Sequence, residues 1–329
     1  MRTFKVNYLY LGVVAVLVLL LGVLVGRSYG EAKHQPVFPA KPLTIVVTFP
    51  PGGGTDLLAR KLGAELEQRW QQPVIIENRP GASGIIGARH VAHSPADGYS
   101  LLMVNSSFAI NPSVYTDVGF DPRADFSPVI NVAWVPSVLV VGADSKVDSV
   151  EQLLSLDEVN YASCGTGTPQ HFAGELLAPH SQGSLMHVPY KGCGPALADI
   201  ISGQVDVGIV TISSAMNQIK SGHLKALAVS SAQRSPVLPE VPTVAQSGIE
   251  GYELDQWHGL LAPANTPPEL IEDINHQVAE IMAQQKIQDE LHNLGYTSDR
   301  STAQAFNRII DSDLHRYQQL VQSIHLAAM

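Results

Sequence analysis

The stretch Leu43–Arg60, LTIVVTFPPGGGTDLLAR, decides how the rest of the chain is read. Leu43, Ile45, Val46, Val47 and Phe49 form a β-branched apolar run of strand length, bounded by Pro42 before it and Pro50–Pro51 after it, the pattern of a buried strand. Gly52, Gly53 and Gly54 then free the backbone from side-chain sterics, and Thr55 and Asp56 offer N-cap oxygens to a helix whose Leu58, Leu62, Leu66 and Trp70 share one face. A helix that starts at a glycine loop presents backbone N–H groups without intrahelical acceptors at the positive end of its dipole, which makes it a seat for an anion. No Lys-Ser or Lys-Thr follows the glycines, and PGGG lacks the G-x-G-x-x-G spacing, so the loop matches neither nucleotide fingerprint. A carboxylate fits it better than a polyphosphate. The plainer alternative is a turn that only closes a strand–helix unit.

The chain has 329 residues, 45% hydrophobic and 15% charged, enough for one large or two medium domains. Arg2 and Lys5 precede an almost unbroken apolar run from Tyr8 to Val25, so residues 1–30 read as a signal peptide or an N-terminal membrane anchor. Ser28 and Gly30 stand where a cleavage site needs small residues, and cleavage is the favoured reading. Loss of that segment leaves 17 basic against 30 acidic residues, a net charge of −13. Such an acidic chain offers no basic footprint to nucleic acid, but a small anion can still be held by local N–H dipoles.

Further along, Val74–Ile76, Tyr99–Val104, Asn160–Ser163, Met186–Tyr190, Val205–Val210, Lys225–Val229 and Trp257–Leu261 read as strands, and Ile85–Val91, Asp148–Leu156, Pro169–Leu177 and Pro195–Ile201 as helices. This βαβ alternation puts ligand loops at strand ends. One such loop is Asn105-Ser106-Ser107. Another is Cys164-Gly165-Thr166-Gly167-Thr168-Pro169, a second Gly/Thr loop in which Thr168 caps a helix with proline at its first position. The apolar run Pro128–Val141, broken by Pro136, is too long for one ordinary strand and reads as a crossing between domains. Two helices finish the chain, opened by Thr266–Glu269 and by Ser301–Gln304 as capping boxes.

Taken together, TFPPGGGTDLLAR, VIIENRPGASGIIGA, SPADGYSLLM, INPSVY, DFSPV, GTGTPQHFAGEL, HVPYKG, SGQVD, RSPVLPEVPTVAQSG and APANTPPEL resemble the Bug family, the TctC-like extracytoplasmic solute receptors of tripartite tricarboxylate transporters, from about Lys41 to the C-terminus. The resemblance implies an α/β, two-lobed Venus flytrap of the type II periplasmic-binding-protein kind, each lobe a mixed sheet flanked by helices. Residues 36–137 and 258–329 would form lobe one and residues 138–257 lobe two. It also implies a monomer in the periplasm, retained at the inner membrane if the N-terminal segment stays uncleaved. There it would capture a small carboxylate and deliver it to integral-membrane transporter subunits, with no cofactor. A sensory receptor docking on a membrane signalling protein is the alternative. By carry-over, Gly53, Gly54, Thr55, Asp56, Ser106 and Ser107 face Gly165, Thr166, Gly167 and Thr168 across the cleft, so that two opposed helix N-termini hold the ligand without a buried cation.

Asp206, at the end of SGQVD, either reaches the cleft to select a ligand ammonium group or caps local N–H groups. Cys164 and Cys193 are the only cysteines, each follows a strand, and export leads to an oxidising compartment, so a disulfide is expected; two buried free thiols are the alternative. Catalysis is not expected. None of the 12 histidines has a metal-ligand spacing such as H-E-x-x-H, and His171 reads as a capping or surface residue. Ser163, Ser106 and His187 lack a G-x-S-x-G elbow to make a triad.

Overall fold

Strand β1, Leu43–Val47, lies between two parallel neighbours, β2 (Val74–Asn78) and β3 (Ser100–Asn105). Flanked on both sides, it carries the near-continuous apolar run that such strands require. The computed structural model describes residues 38–323, so the expected leader at residues 1–30 lies outside the described residues. Among the described residues no helix is long and apolar enough to cross a membrane.

From the glycine loop, α1 (Gly54–Trp70) packs back over this sheet with Leu58, Leu62 and Leu66 buried. Its N-cap is Gly53, which makes no side-chain capping bond. Thr55 and Asp56 therefore stand inside the first turn and not at the cap expected of them. Asp56 instead reaches back to accept from the Gly52 N–H at 2.8 Å. After α2 (Ile85–Ala92) and β3, the helix α3 (Ser107–Val114) begins at once, so Ser107 opens a helix and Pro112 lies within it.

The apolar run after it is one strand, β4, spanning Phe126–Gly142. It stays continuous by bending, with register shifts at Pro128/Ile130, Asn131/Ala133 and Leu139/Val140. From Phe126 to Pro136 it pairs antiparallel with β9 (Asp255–Pro263), which pairs in turn with β3. From Ser137 onward it lies between β7 (Val207–Thr211) and β8 (Leu224–Val229). Beyond β7 the sheet continues through β5 (Glu158–Ser163) to β6 (Ser184–Pro189), all parallel. The helices of this second half are α4 (Val150–Leu154), α5 (Pro169–Leu177), α6 (Cys193–Ile201) and α7 (Ile212–Lys220).

Three helices, not two, finish the described chain: α8 (Pro268–Met282), α9 (Gln285–Asn293) and, after the short β10 (Thr297–Ser298), α10 (Ala303–Ser323). Neither expected capping box forms. The Thr266 hydroxyl donates to the Pro263 carbonyl at 2.7 Å, and Ser301 accepts from the Asn131 N–H of β4. Thr302 caps α10 instead, its hydroxyl oxygen accepting from Ala305 N–H at 3.1 Å. α8 packs on β4 and α1, and α10 on β4 and α3.

Trp257 of β9 is fully buried, edge-on to Phe306 of α10 at 5.1 Å, and its indole donates to Asp313 at 2.7 Å. That docking leaves no room at Gly259, where an added Cβ would collide with the Phe306 ring and come within 2.9 Å of the Ile130 carbonyl. Gly259→Ala is expected to destabilise the protein by about 1–3 kcal/mol, as overpacking does. Equilibrium urea unfolding of the two proteins checks this.

Candidate ligand-binding site

Three helix starts converge on one cavity. Gly53, Gly54 and Thr55 come from the start of α1, Gly192, Cys193 and Gly194 from that of α6, and Thr211 from the N-cap of α7. Pro50, Asn105 of β3 and Gln170 of α5 complete much of the lining, and no lining residue is charged. Helix N-termini bring unpaired N–H groups and positive dipole ends, so this neutral cavity is electrostatically suited to an anion.

The two sides of the cavity touch. Gly54 N–H donates to Ser214 Oγ of α7 at 3.2 Å, while its carbonyl accepts from Tyr296 Oη at 2.7 Å. Ser214 is bonded to Thr211 Oγ1 at 2.7 Å. Farther out, the Thr166 carbonyl accepts from Ser83 Oγ and from Tyr115 Oη. Gly165 and Thr166 thus border a wider groove at the mouth, with Ser83 and Lys191, while Gly167 lies against Asn111 and Tyr115.

Thr168 caps α5 as expected. Its hydroxyl donates to the Gly165 carbonyl at 2.6 Å and accepts from the His171 N–H, so it shapes the loop from within. Thr55 is buried at the cavity wall, and its hydroxyl accepts from Asn105.

Other expected site residues face elsewhere. Asp56 spends its carboxylate on Gly52, Arg60 and Asn78. Burial pushes its pKa up, but Arg60, the Gly52 N–H and Asn78 outweigh that and hold it below the usual carboxylate range. Ser106 is fully buried and accepts from the Trp257 N–H, tying β3 to β9. Ser107 borders a neighbouring hollow with Thr48 and Ser83. Asp206 does not reach the cleft: it precedes β7 and accepts from the Asn160 N–H at 2.8 Å, at the opposite end of parallel strands whose C-terminal ends carry the ligand loops. The helix opposing α1 across the cavity is α6 together with α7, rather than the α5 start alone.

Cys164 and Cys193 are disulfide-bonded, with a Cα separation of 4.3 Å. The bridge joins the end of β5 to the start of α6 and so fixes two cavity walls together. Beside it, His171 is buried rather than exposed, and its Nδ1 accepts from the Gly167 N–H at 3.3 Å. His187 stacks on it at 4.0 Å and sits 2.6 Å from Ser163 Oγ, which in turn accepts from the Gly165 N–H. Ser163 is fully buried, so no substrate carbonyl can reach it; this pair braces the Gly165–Thr168 loop.

Sequence reading missed α7 with its Thr211 and Ser214, and it missed Gln170 and Gly194; Asn105 stood in an expected ligand loop without a role of its own. The signal for α7 was available: Ile212, Ala215, Met216 and Ile219 have helical spacing directly after β7.

The family model for the tripartite tricarboxylate transporter family receptor, TctC, matches residues 58–326. The chain belongs to that receptor family. The receptor is 34% identical over 292 residues to the protein BugT of Bordetella pertussis, covering 87% of this chain and 90% of BugT. Among solved structures it is similar to R. palustris Rpa4515 with adipate, with TM-score 0.86, 32% identity, and 89% of this chain and 100% of that chain covered. It is similar also to the periplasmic binding protein BugD, with TM-score 0.84, 31% identity, and 89% and 100% covered. The receptor therefore has the two-lobed α/β architecture of periplasmic binding proteins.

Two outcomes are expected. Burial lowers the His171 pKa to about 4 and, with His171 adding a smaller push, that of His187 to about 3. An unfolded chain would take up protons on both below about pH 6.5, so their contribution to stability is full above that pH and is lost as pH falls toward 4. Urea midpoints measured from pH 7.5 to 4 should fall, and less steeply in His187→Gln. Separately, reducing the disulfide, which closes a loop of sequence separation 29, should lower the unfolding free energy by about 3–4 kcal/mol in the chain-entropy model. Denaturant unfolding with and without reductant measures it.

Proposed function

We propose that this protein is a periplasmic receptor that closes two lobes on a small carboxylate and delivers it to the integral-membrane subunits of a tripartite transporter, without chemical turnover. The observation that carries this reading is the convergence of the α1, α6 and α7 N-termini on one uncharged cavity. Hydrogen bonds to an ionised acceptor are the strong ones, and several preorganised N–H groups replace a counter-ion. Rpa4515, the similar structure named above, is in complex with adipate, which supports the ligand class.

Lobe one would comprise residues 36–137 and 258–329, and lobe two residues 138–257. In favour of this division, β4 changes partners between Pro136 and Ser137, and Pro136 is the residue paired with Asp255 at the start of β9. Hinge motion there would part the Gly54–Ser214 and Thr166–Tyr115 contacts. The expected leader, with its apolar run from Tyr8 to Val25, fits export.

A screen of mono-, di- and tricarboxylates by thermal shift tests the proposal. A ligand of the folded state raises the melting midpoint by mass action, and the bound acid should be recovered unchanged. No shift with any carboxylate would refute it. Gly54→Ala should weaken that ligand by about tenfold or more, the loss of one hydrogen bond to a charged group or its equivalent, because an added Cβ would stand 2.7 Å from Ser213 Oγ and 2.8 Å from Tyr296 Oη and hold the lobes apart. Isothermal titration of the variant measures the loss.

A further inference from the structure

Beneath the cavity, β9 presents two side chains that the carboxylate seat does not use. Gln256 and His258 are both fully buried, and neither the amide atoms of Gln256 nor either ring nitrogen of His258 has a hydrogen-bond partner within the protein. Leaving such groups unpaired costs about 1–3 kcal/mol each. Retaining both in the centre of a sheet therefore calls for a partner from outside the chain.

Their placement says where that partner enters. Alternation puts Gln256 and His258 on the same face of β9. His258 is directly opposite Asn105 on β3, and Asn105 lines the cavity. On the other side Gln256 is opposite Val135 of β4. Two residues farther along that face Ser137 is opposite Thr211, a second cavity residue, and accepts from Gln170, a third. His258 also meets Tyr296 edge-on at 5.6 Å, and Tyr296 bonds Gly54. The two unpaired side chains thus share a sheet face with residues that bound the cavity on either side, a buried floor layer that does not itself line the cavity.

The chemistry of the floor selects against charge. Burial takes the His258 pKa down to about 3, so the imidazole is neutral and offers one donor and one acceptor. Gln256 likewise offers both. A second carboxylate supplies acceptors only: it can take the Gln256 and His258 N–H donors but leaves the Gln256 carbonyl and the bare imidazole nitrogen unpaired, and no cation lines the cavity to offset its desolvation. A methyl terminus would leave all of these atoms unpaired. A hydroxyl or a primary amide both donates and accepts.

We propose that Gln256 and His258 are specificity-determining residues that hydrogen-bond an uncharged hydroxyl or amide terminus of the ligand, so that this receptor prefers a carboxylate with a neutral polar far end to a dicarboxylate. The inference rests on the carboxylate reading of the cavity. It distinguishes this chain from the similar structure holding adipate, a diacid.

Isothermal titration of the mature protein with two matched series tests it: butanoate, 4-hydroxybutanoate and succinate, then hexanoate, 6-hydroxyhexanoate and adipate. In at least one series the hydroxy acid should bind roughly tenfold or more tighter than both the alkyl acid and the diacid, the scale of a buried hydrogen bond made or missed. In Gln256→Leu and His258→Phe the ratio of hydroxy acid to alkyl acid should fall toward one. A diacid that binds tighter than the hydroxy acid in both series overturns the proposal, as does a hydroxy acid equal to its alkyl analogue. A preference that survives both substitutions overturns it too. The wild-type ranking decides the matter by itself if a variant does not fold. Should none of the six acids bind and the wider carboxylate screen show no shift, the carboxylate reading fails and this inference falls with it; binding without preference for the hydroxyl, or binding only of carboxylates outside these series, sinks the floor assignment alone.

Discussion

Backbone pairing along β4 is the constraint on which the rest of this structure depends. A strand must satisfy every N–H and C=O it buries, and β4 pairs with β9 and the short β10 in its first part and with β7 and β8 in its second. One unbroken segment is therefore an interior strand of both halves of the fold. Its register shifts supply the bends that let the two halves twist apart without loss of pairing. The cleft is a consequence: strand ends from both halves point toward the place where β4 passes from one set of partners to the other, and open α/β sheets carry their ligand loops at such ends.

The site built there works without formal charge. Oriented backbone dipoles at three helix starts supply positive potential that no titration can remove, and each loop is braced by side-chain bonds made within the protein. Asp56 holds the α1 loop through Gly52, Thr168 and His171 hold the α5 loop through Gly165 and Gly167, and the disulfide fixes the α6 start to the end of β5. Rigid supporting groups of this kind keep donors in place before the ligand arrives, which lowers the ordering cost of binding. Burial keeps His171 and His187 neutral, so His171 can act as an acceptor for a backbone N–H. An imidazolium would have only donors.

Several residues that look ligand-like in the sequence serve this bracing instead. Ser106 has the hydroxyl expected of a ligand loop, yet Trp257 claims it because β9 runs beside β3. Asp206 follows a turn that resembles a cleft element, yet it lies at the N-terminal end of the parallel strands. His187 and Ser163 stand within hydrogen-bond reach, as a catalytic pair would, but the complete burial of Ser163 and its bond to Gly165 give them a structural part.

The local elements were legible because they depend on short-range rules. The apolar run of β1, the glycines before α1, the Thr168-Pro169 start of α5 and the buried face of α1 follow from sterics, proline geometry and periodicity within a few residues. These alone make Gly53–Thr55 the expected anion seat and Gly165–Thr168 its expected counterpart. Long-range pairing decided what no local window contains. It made Pro128–Val141 part of one strand, brought Thr211 and Cys193 opposite Gly54, and set His258 opposite Asn105. It also turned Ser301 from a helix cap into a brace for β4. Propensity reports what a residue can do with its neighbours in the chain; which of its hydrogen bonds it keeps is settled only when strands from distant parts of the sequence compete for the same donors and acceptors.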